Sequence, residues 1–425
     1  MTGDVQLFII KNKAFTFRVL PPFIIGHLLL LFQKTDVGGA KRDATVGHLP
    51  LIEFIANNHH LPLPGDYHVA NVPLWHFLAS ILYRIGNNAV PITIFQLVIA
   101  VTTLLMLDSI LKHYVSDSTS ILLVCAVAIN SYFISSSHFP TTDGLAIFSF
   151  TLFFFGIHNL LFQPENRKYL VVVNIAITVS ALNRQMFVIL FAIYAITFFK
   201  KKSIYRIFLE VLPSALLVFS GFYLFYVGYC DFFNSDVCWP IRQSRDLVFP
   251  VFVNIPVICS LIVLVLFPVL VRREVAARKL ISLNVIFIIG IIVLMETYGS
   301  KKILSEKEIT GGGIYKFREL FGPFSIFFDV ISIGLFFVLT SMIFRMFKRE
   351  SWIYQSLIVI VLSSIFGPYA FQRYFEPYIL ILGSIFLAIN SKNIFSTSKF
   401  SVQKWAVFLV SFQILESVAS IFIRV

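Results

Sequence analysis

Long apolar runs separated by short polar links make up most of this chain. The clear runs are Ala14–Phe32, Val90–Leu111, Thr119–Ser137, Gly144–Phe162, Tyr169–Phe199, Ile207–Gly228, Phe249–Val271, Leu280–Tyr298, Gly322–Phe344, Trp352–Tyr369, Phe375–Asn390 and Trp405–Ile423. A membrane-spanning helix needs about 20 mostly apolar residues, and its backbone in lipid must be hydrogen-bonded within the segment. The pattern therefore predicts an all-α polytopic transmembrane helical bundle. No small-residue cleavage site follows the first run, so we expect it to be a retained span.

Composition supports the same class. The 425 residues are 58% hydrophobic and only 13% charged, against about 45–50% apolar and about 25% charged in soluble domains. These values exclude a cytosolic enzyme, a disordered protein and a secreted disulfide scaffold. We expect one membrane-embedded domain over 1–425, with a core module at 14–200, a first outer loop at 33–89 and a variable helical module at 201–425.

Two segments are ambiguous as spans. Asn71–Gly86 could be a short span or a helix lying on the membrane surface. Tyr169–Phe199 is interrupted by Asn183-Arg184-Gln185. As one span it would place Arg184 near the bilayer centre, at a cost of about 3 kcal/mol or more. As two short spans it would bring Arg184 to a membrane surface.

The basic residues help to choose between these arrangements. There are 34 Lys and Arg against 22 Asp and Glu, a net charge of +12, and bases concentrate in cytoplasmic links. With the N-terminus inside, the clusters near residues 200, 275 and 347 are cytoplasmic if Asn71–Gly86 is a surface helix and Tyr169–Phe199 forms two spans. Reversing both choices also satisfies the rule, but places slightly fewer bases inside. The favoured arrangement has about 13 spans and an external C-terminus.

The outer surface then receives the longer and chemically mixed loops. In the first of them, His48–Asn58 is compatible with a short amphipathic helix, and Asn71–Gly86 would be a second one. Asp43 precedes the first helix and could simply be a solvated loop carboxylate. Asp143 stands where a span begins, so it could simply cap that helix.

A set of cations also faces outward. It comprises Arg184, Lys301, Lys302, Lys316, Arg318 and Arg373, together with His48. These residues could form a solvated surface or a site for an anion such as phosphate. Glu376 is an alternative, structural partner for Arg373 because it lies one helical turn away. Cys230 and Cys238 share an outer loop, where a disulfide is chemically allowed in an oxidising compartment.

The order of these features resembles a known superfamily. A first span leads to an outer acid, Asp43, and to two surface helices, the second opening with VPLWHFLASIL. Two spans follow, and the link SSSHFPTTDGLAIFSF carries the second acid, Asp143. This plan resembles the GT-C superfamily of integral-membrane glycosyltransferases, including the protein mannosyltransferase and aminoarabinose transferase types.

Local motifs add to this resemblance. RDATVGHLP is similar to the D-E-x-x-H-x-P of dolichyl-phosphate-glucose α-1,2-glucosyltransferases, although Ala44 stands where the second acid would be. Arg184-Gln185 and Arg373-Tyr374-Phe375 are similar to an Arg-Gln pair and an Arg-Tyr-Phe in the same enzymes.

The resemblance implies a transferase that moves a sugar from a polyprenyl-phosphate carrier to a hydroxyl of a glycan, lipid or protein. It implies Asp43 as the general base and Asp143 as a second acid. It also implies that the outward cations hold the phosphate and that His48 assists substrate binding. We expect no obligatory metal, no other cofactor and no nucleic-acid partner. The expected partners are the lipid-linked sugar donor, the acceptor and the lipid bilayer.

Two other functions stay open. A lipid-linked oligosaccharide flippase or other transporter would carry polar residues along the interiors of many spans, for which Asp108, Glu210, Glu296 and Asp329 are the candidates. A polysaccharide polymerase or ligase is the third reading. The absence of any N-x-Ser/Thr acceptor favours a bacterial inner membrane over the endoplasmic reticulum.

Overall fold

The computed structural model is almost entirely helical. It describes residues 13–32, 40–67, 69, 71–230, 251–270, 310–311, 325–346, 351–364, 370–371, 375–395 and 401–422. The helices are α1 Lys13–Arg18, α2 Leu20–Phe32, α3 Ala40–Arg42, α4 Leu49–Asn58, α5 Leu74–Gly86, α6 Val90–Leu111, α7 Asp117–Ala128, α8 Ser131–His138, α9 Asp143–Phe162, α10 Arg167–Asn183, α11 Leu190–Phe198, α12 Ile204–Phe222, α13 Val251–Leu270, α14 Ser325–Met346, α15 Ser351–Ser364, α16 Glu376–Ile389, α17 Ser391–Phe395 and α18 Val402–Phe422. Shorter helical segments at Asp43–His48 and Tyr223–Tyr229 are π-helical, and those at Pro64–Asp66 and Gln185–Ile189 are 3₁₀ turns.

Several of these helices have the length and composition of membrane spans. Within the described residues, Val90–Leu111, Asp143–Phe162, Ile204–Tyr229 and Phe327–Phe344 qualify alone, and the bent pair α7 and α8 would make a fifth. The helical membrane class is therefore supported, and the count of thirteen spans stays a prediction. The expected span Leu280–Tyr298 lies outside the described residues.

The predicted run Thr119–Ser137 is not one straight helix. It bends by 65° between α7 and α8, and Asn130 lies at the bend. The Asn130 side chain accepts a hydrogen bond from the backbone N–H of Phe133, so it caps the new helix. Its amide nitrogen donates to Glu376 Oε1 at 2.9 Å and to Gln413 Oε1 at 2.8 Å. These buried bonds tie the bend to α16 and α18.

The chain reverses direction at Arg184. Asn174, on α10, donates to the backbone oxygen of Glu210 at 2.9 Å, and Tyr194, on α11, donates to the Glu210 carboxylate at 2.5 Å. In one continuous helix these two donors would lie about 30 Å apart. Because both reach the same residue, α10 and α11 run in opposite directions and Arg184 lies at one end of the bundle. This geometry agrees with the prediction of two short segments.

Helices are present at both places predicted in the first outer loop, as α4 and α5, which pack together. Arg84 on α5 donates to the backbone oxygens of Ile55 and Ala56, at 3.0 and 2.7 Å. A cation at the last carbonyls of α4 satisfies them and complements the helix dipole. At about 20 Å, the 13-residue α5 is too short to cross a bilayer.

The outer face of α5 carries an apolar stripe of Phe77, Ile81 and Ile85, all exposed, while Trp75 and His76 are buried on the opposite face. This pattern fits a helix lying on the membrane surface.

A short backbone contact joins two later loops. Thr310 and Gly311 pair in parallel with Ala370 and Phe371, and these are the only strands among the described residues. The pairing joins two short segments that are about 60 positions apart in the chain.

We predict that Asn130→Leu lowers the free energy of unfolding by about 1–3 kcal/mol, because it strips buried Glu376 and Gln413 of a donor. Thermal unfolding in detergent measures the change. Thr102→Val is the control, since the Thr102 hydroxyl donates to the Val98 carbonyl of its own helix and its loss should change stability by less than about 0.5 kcal/mol. Equal effects of the two variants would contradict a structural role for the network.

Candidate active site

The two charged residues at the end of α10 and the start of α9 form a buried ion pair. Arg184 Nη2 donates to Asp143 Oδ1, and the side chains are only 12% and 9% exposed. Thr141 Oγ1 lies 3.5 Å from the other Asp143 oxygen, Oδ2. Asp143 is the first residue of α9, where the helix dipole favours an anion, but Thr142 is the N-cap and Asp143 does not cap the helix with its side chain. The expected helix-capping acid thus has a specific cationic partner, 41 positions later in the chain.

Side chains from neighbouring elements hold the loop before Asp143. Asn183 Nδ2 donates to the Thr142 carbonyl at 2.7 Å, and Asn71 Nδ2 donates to the Thr142 hydroxyl at 3.1 Å. Gln96 Nε2 donates to the Thr141 carbonyl at 3.2 Å. Three elements besides α9 therefore fix the loop and, with it, the Asp143 carboxylate.

Gly144 permits this close packing. A Cβ atom at this position would lie 2.6 Å from the backbone oxygen of Ser136, closer than real Cβ contacts. The start of α9 can therefore approach the end of α8 only with glycine here.

Asp43 begins a π-helical turn, Asp43–His48, that runs directly into α4. The backbone N–H of Leu49 bonds the Ala44 carbonyl, five residues back, as in a π-helix. Such turns occur frequently at functional sites. The preceding α3 packs against α8, which leads into the loop before Asp143. Both segments that carry the predicted acids are therefore connected to α8, the first by the packing of α3 and the second along the chain.

His48 is buried and bonded to a second histidine. Its Nδ1 lies 2.9 Å from Nε2 of His76, on α5. Burial, with a smaller contribution from nearby His48, lowers the pKa of His76 well below its usual value. His76 is therefore neutral at ordinary pH.

The same end of the bundle holds a disulfide-bonded cysteine. Gln185 Nε2 donates to Tyr226 Oη at 2.6 Å, so the π-helical end of α12 lies beside the Arg184 turn. Cys230, just beyond it, is disulfide-bonded, while Cys125 and Cys259 are free. Cys238, the partner named from sequence, lies outside the described residues.

The predicted cations Lys301, Lys302, Lys316, Arg318 and Arg373 lie outside the described residues as well. The proposed partner of Arg373, Glu376, is fully buried and accepts hydrogen bonds from Asn130 and Gln413. In the described part of the chain, no three His, Cys, Asp or Glu side chains group as metal ligands.

Sequence reasoning missed His76, Gln96 and the role of Asn183. Each lies inside or at the end of an apolar helix. A polar residue in such a helix indicates a functional site only if its depth in the membrane is known. The ring pairing of His48 with His76 had no counterpart in the residue pattern.

No protein-family model and no curated protein sequence matches the chain. Among solved structures, it is similar to the crystal structure of the Archaeoglobus fulgidus oligosaccharyltransferase in complex with zinc and sulfate, at 14% identity and a TM-score of 0.43. The alignment covers 94% of this chain and 51% of that protein, so the chain spans about half its length. A likeness this distant carries no argument about activity.

We predict that Asp143→Asn and Arg184→Gln each lower the free energy of unfolding by about 3–5 kcal/mol, because each leaves one buried charge without its partner. The double variant should lose less than the sum of the two single losses. Chemical unfolding of the purified variants measures the losses. Arg206→Gln is the control: Arg206 is 59% exposed in its pair with Glu210, and its loss should cost about 1 kcal/mol or less. Strict additivity would contradict direct pairing of Asp143 and Arg184.

The thermal unfolding temperature should fall as the pH falls below about 6.5, the ordinary pKa of histidine. In that range the unfolded chain binds a proton at His76, while the folded protein keeps this residue neutral. His76→Gln should flatten the curve, and His60→Gln, at an exposed position, should leave it unchanged. Unfolding scans between about pH 8 and pH 5 measure the effect, and identical slopes for all three proteins would contradict the assignment.

Proposed function

We propose that this protein is an integral-membrane glycosyltransferase that moves a sugar from a polyprenyl-phosphate carrier to a hydroxyl acceptor on the non-cytoplasmic face, with inversion. The observation that carries the proposal is the buried Asp143–Arg184 pair, which lies where the chain reverses between α10 and α11. A carboxylate and a cation at one bundle end, together with the predicted acid Asp43, supply the types of group that such a transfer requires.

The sidedness has two lines of support. Disulfides persist in oxidising compartments, and Cys230 lies at the Arg184 end of the bundle. Lys202, which bonds Glu210 at 2.6 Å, lies near the opposite end with Lys200 and Lys201, where the cytoplasmic bias of bases places it.

The reaction needs a base and a stabilised leaving group. Asp43 accepts the proton of the acceptor hydroxyl as its oxygen attacks the anomeric carbon. The bond between that carbon and the phosphate oxygen breaks, and its electron pair leaves with the polyprenyl phosphate. A single displacement of this kind inverts the configuration at the anomeric carbon.

Cations stabilise the charge that develops on the departing phosphate. Arg184 would contribute here while it holds Asp143, because a guanidinium offers five N–H donors. Lys301, Lys302, Lys316, Arg318 and Arg373 are the further proposed ligands. No step requires a metal or another cofactor.

A lipid flippase is the alternative that one observation favours. Glu376 is an ionisable group buried in the bundle, and such groups in spans often mark transport pathways. Asp108 and Glu210, in contrast, are paired with Lys112 and Lys202, as structural residues are. A polysaccharide polymerase or ligase would use the same outer face. The setting that the sequence favours is a bacterial inner membrane, with the endoplasmic reticulum as the alternative.

We predict that Asp43→Asn lowers the rate of sugar transfer at least about 100-fold, since general base catalysis contributes about 10²–10⁴-fold, and leaves donor binding within about twofold. Turnover of a panel of radiolabelled polyprenyl-phosphate sugars by purified protein in vesicles measures the rate. Asp66→Asn is the matched control, because Asp66 is an exposed acid of the same outer loop.

Unchanged transfer by Asp43→Asn would contradict the base assignment. Movement of labelled lipid between leaflets, without consumption of any donor, would support the flippase instead.

A further inference from the structure

The two histidines His48 and His76 lie edge to edge. Their ring planes differ by 12° and their centroids are 5.1 Å apart, which is close to the 2.9 Å N···N distance plus the two ring radii. The rings are therefore nearly coplanar and joined by an in-line hydrogen bond, and they are not stacked face to face. One nitrogen of the pair donates and the other accepts.

The surroundings of His76 decide which nitrogen donates. His76 is fully buried, and its Nδ1 has no hydrogen-bond partner within the described part of the chain. A proton on Nδ1 would be a buried donor without an acceptor, and a buried unsatisfied N–H is costly. Its single proton is therefore on Nε2, which donates to His48 Nδ1. His48 then carries its own proton on Nε2.

The π-helical turn brings His48 close to Asp43. In an α-helix, residues five apart face directions about 140° apart. In a π-helix the backbone hydrogen bonds join residues five apart. This pattern places residue 48 one turn above residue 43, on the same face of the helix. His48, only 8% exposed, therefore lies on the face of the turn that carries the proposed base.

We infer that His76 is a positioning residue that fixes His48 as a hydrogen-bond donor, through Nε2–H, to an acceptor oxygen of the sugar-phosphate donor. This inference rests on the proposed function. His76 touches no substrate and acts through His48.

Among the described residues, few other titratable groups lie on the elements packed around this pair. The Tyr67 ring meets His76 edge-on at 6.3 Å, and its hydroxyl is occupied by the Asn71 carbonyl at 2.6 Å. On the packed α4, the one charged residue is Glu53, which accepts from Tyr83. On α6 and α10, which also pack on α5, the charged residues Asp108, Arg167 and Lys168 lie toward the opposite ends.

The first test is spectroscopic and does not need an active enzyme. The full-length protein is labelled with ¹⁵N-histidine, and the nitrogen spectrum is compared with that of His76→Gln. We expect a signal of an unprotonated ring nitrogen that persists as the pH is lowered toward about 5.5 and disappears in His76→Gln. A protonated Nδ1 on His76 would overturn the inference, whatever becomes of the proposed function.

The second test is kinetic. His48→Leu, His76→Leu and the double variant should each raise the KM for the polyprenyl-phosphate donor by about tenfold, the loss expected from one hydrogen bond, with kcat changed less than KM. His76→Gln keeps an N–H donor and should hold the KM within about twofold of wild type, so it also serves if His76→Leu fails to fold. His60→Leu, at an exposed position, is the control.

Multiplying effects in the double variant, near a hundredfold, would show that His76 acts independently of His48 and overturn the inference. Failure of His76→Gln to rescue the KM would also overturn it. If no donor is turned over by the wild-type protein, the proposed function fails, while the nitrogen spectrum still decides the tautomer.

Discussion

The pairing of a buried arginine with a buried aspartate is the interaction on which this site depends. An unpaired charge among apolar helices is expensive, and removing one partner of a buried pair is usually much worse than never having had either. Asp143 and Arg184 are 41 residues apart in the chain, so their pairing requires α9 and the end of α10 to meet at one end of the bundle. The amides of Asn183 and Gln96 then hold the loop before Asp143 in place.

The backbone around the site departs from regular α-helix at three places, and each departure positions a polar side chain. The bend at Asn130 redirects α8 toward the Asp143 loop. The π turn at Asp43 brings two residues to one face, and the reversal at Arg184 keeps a guanidinium at the bundle end. In a bundle whose helices are otherwise apolar, such irregularities are the places where polar backbone and side chains can be satisfied by the protein itself.

Much of the fold follows from the hydrophobic pattern. The helix Val90–Leu111 has the bounds expected from its apolar run, and the surface helices α4 and α5 follow from amphipathic periodicity. The turn at Arg184 was predictable because a charge in the middle of a long apolar run has no stable position at the bilayer centre. The bend at Asn130 was not, because one Asn-Ser step within an apolar run is compatible with a straight helix.

The site was harder to predict, because its partners are distant in sequence. The two acids and Arg184 could be named individually from their positions, but the Asp143–Arg184 pair and the His48–His76 bond depend on tertiary packing that no periodicity encodes.

The proposed reaction is sugar transfer with inversion from a polyprenyl-phosphate carrier. Both products can be followed when purified protein is incubated with its labelled donor. We predict that free polyprenyl phosphate appears in a 1:1 ratio with a glycosylated acceptor whose new linkage has the opposite anomeric configuration, a consequence of single displacement. A retained configuration, or acceptor glycosylation without release of polyprenyl phosphate, would contradict it.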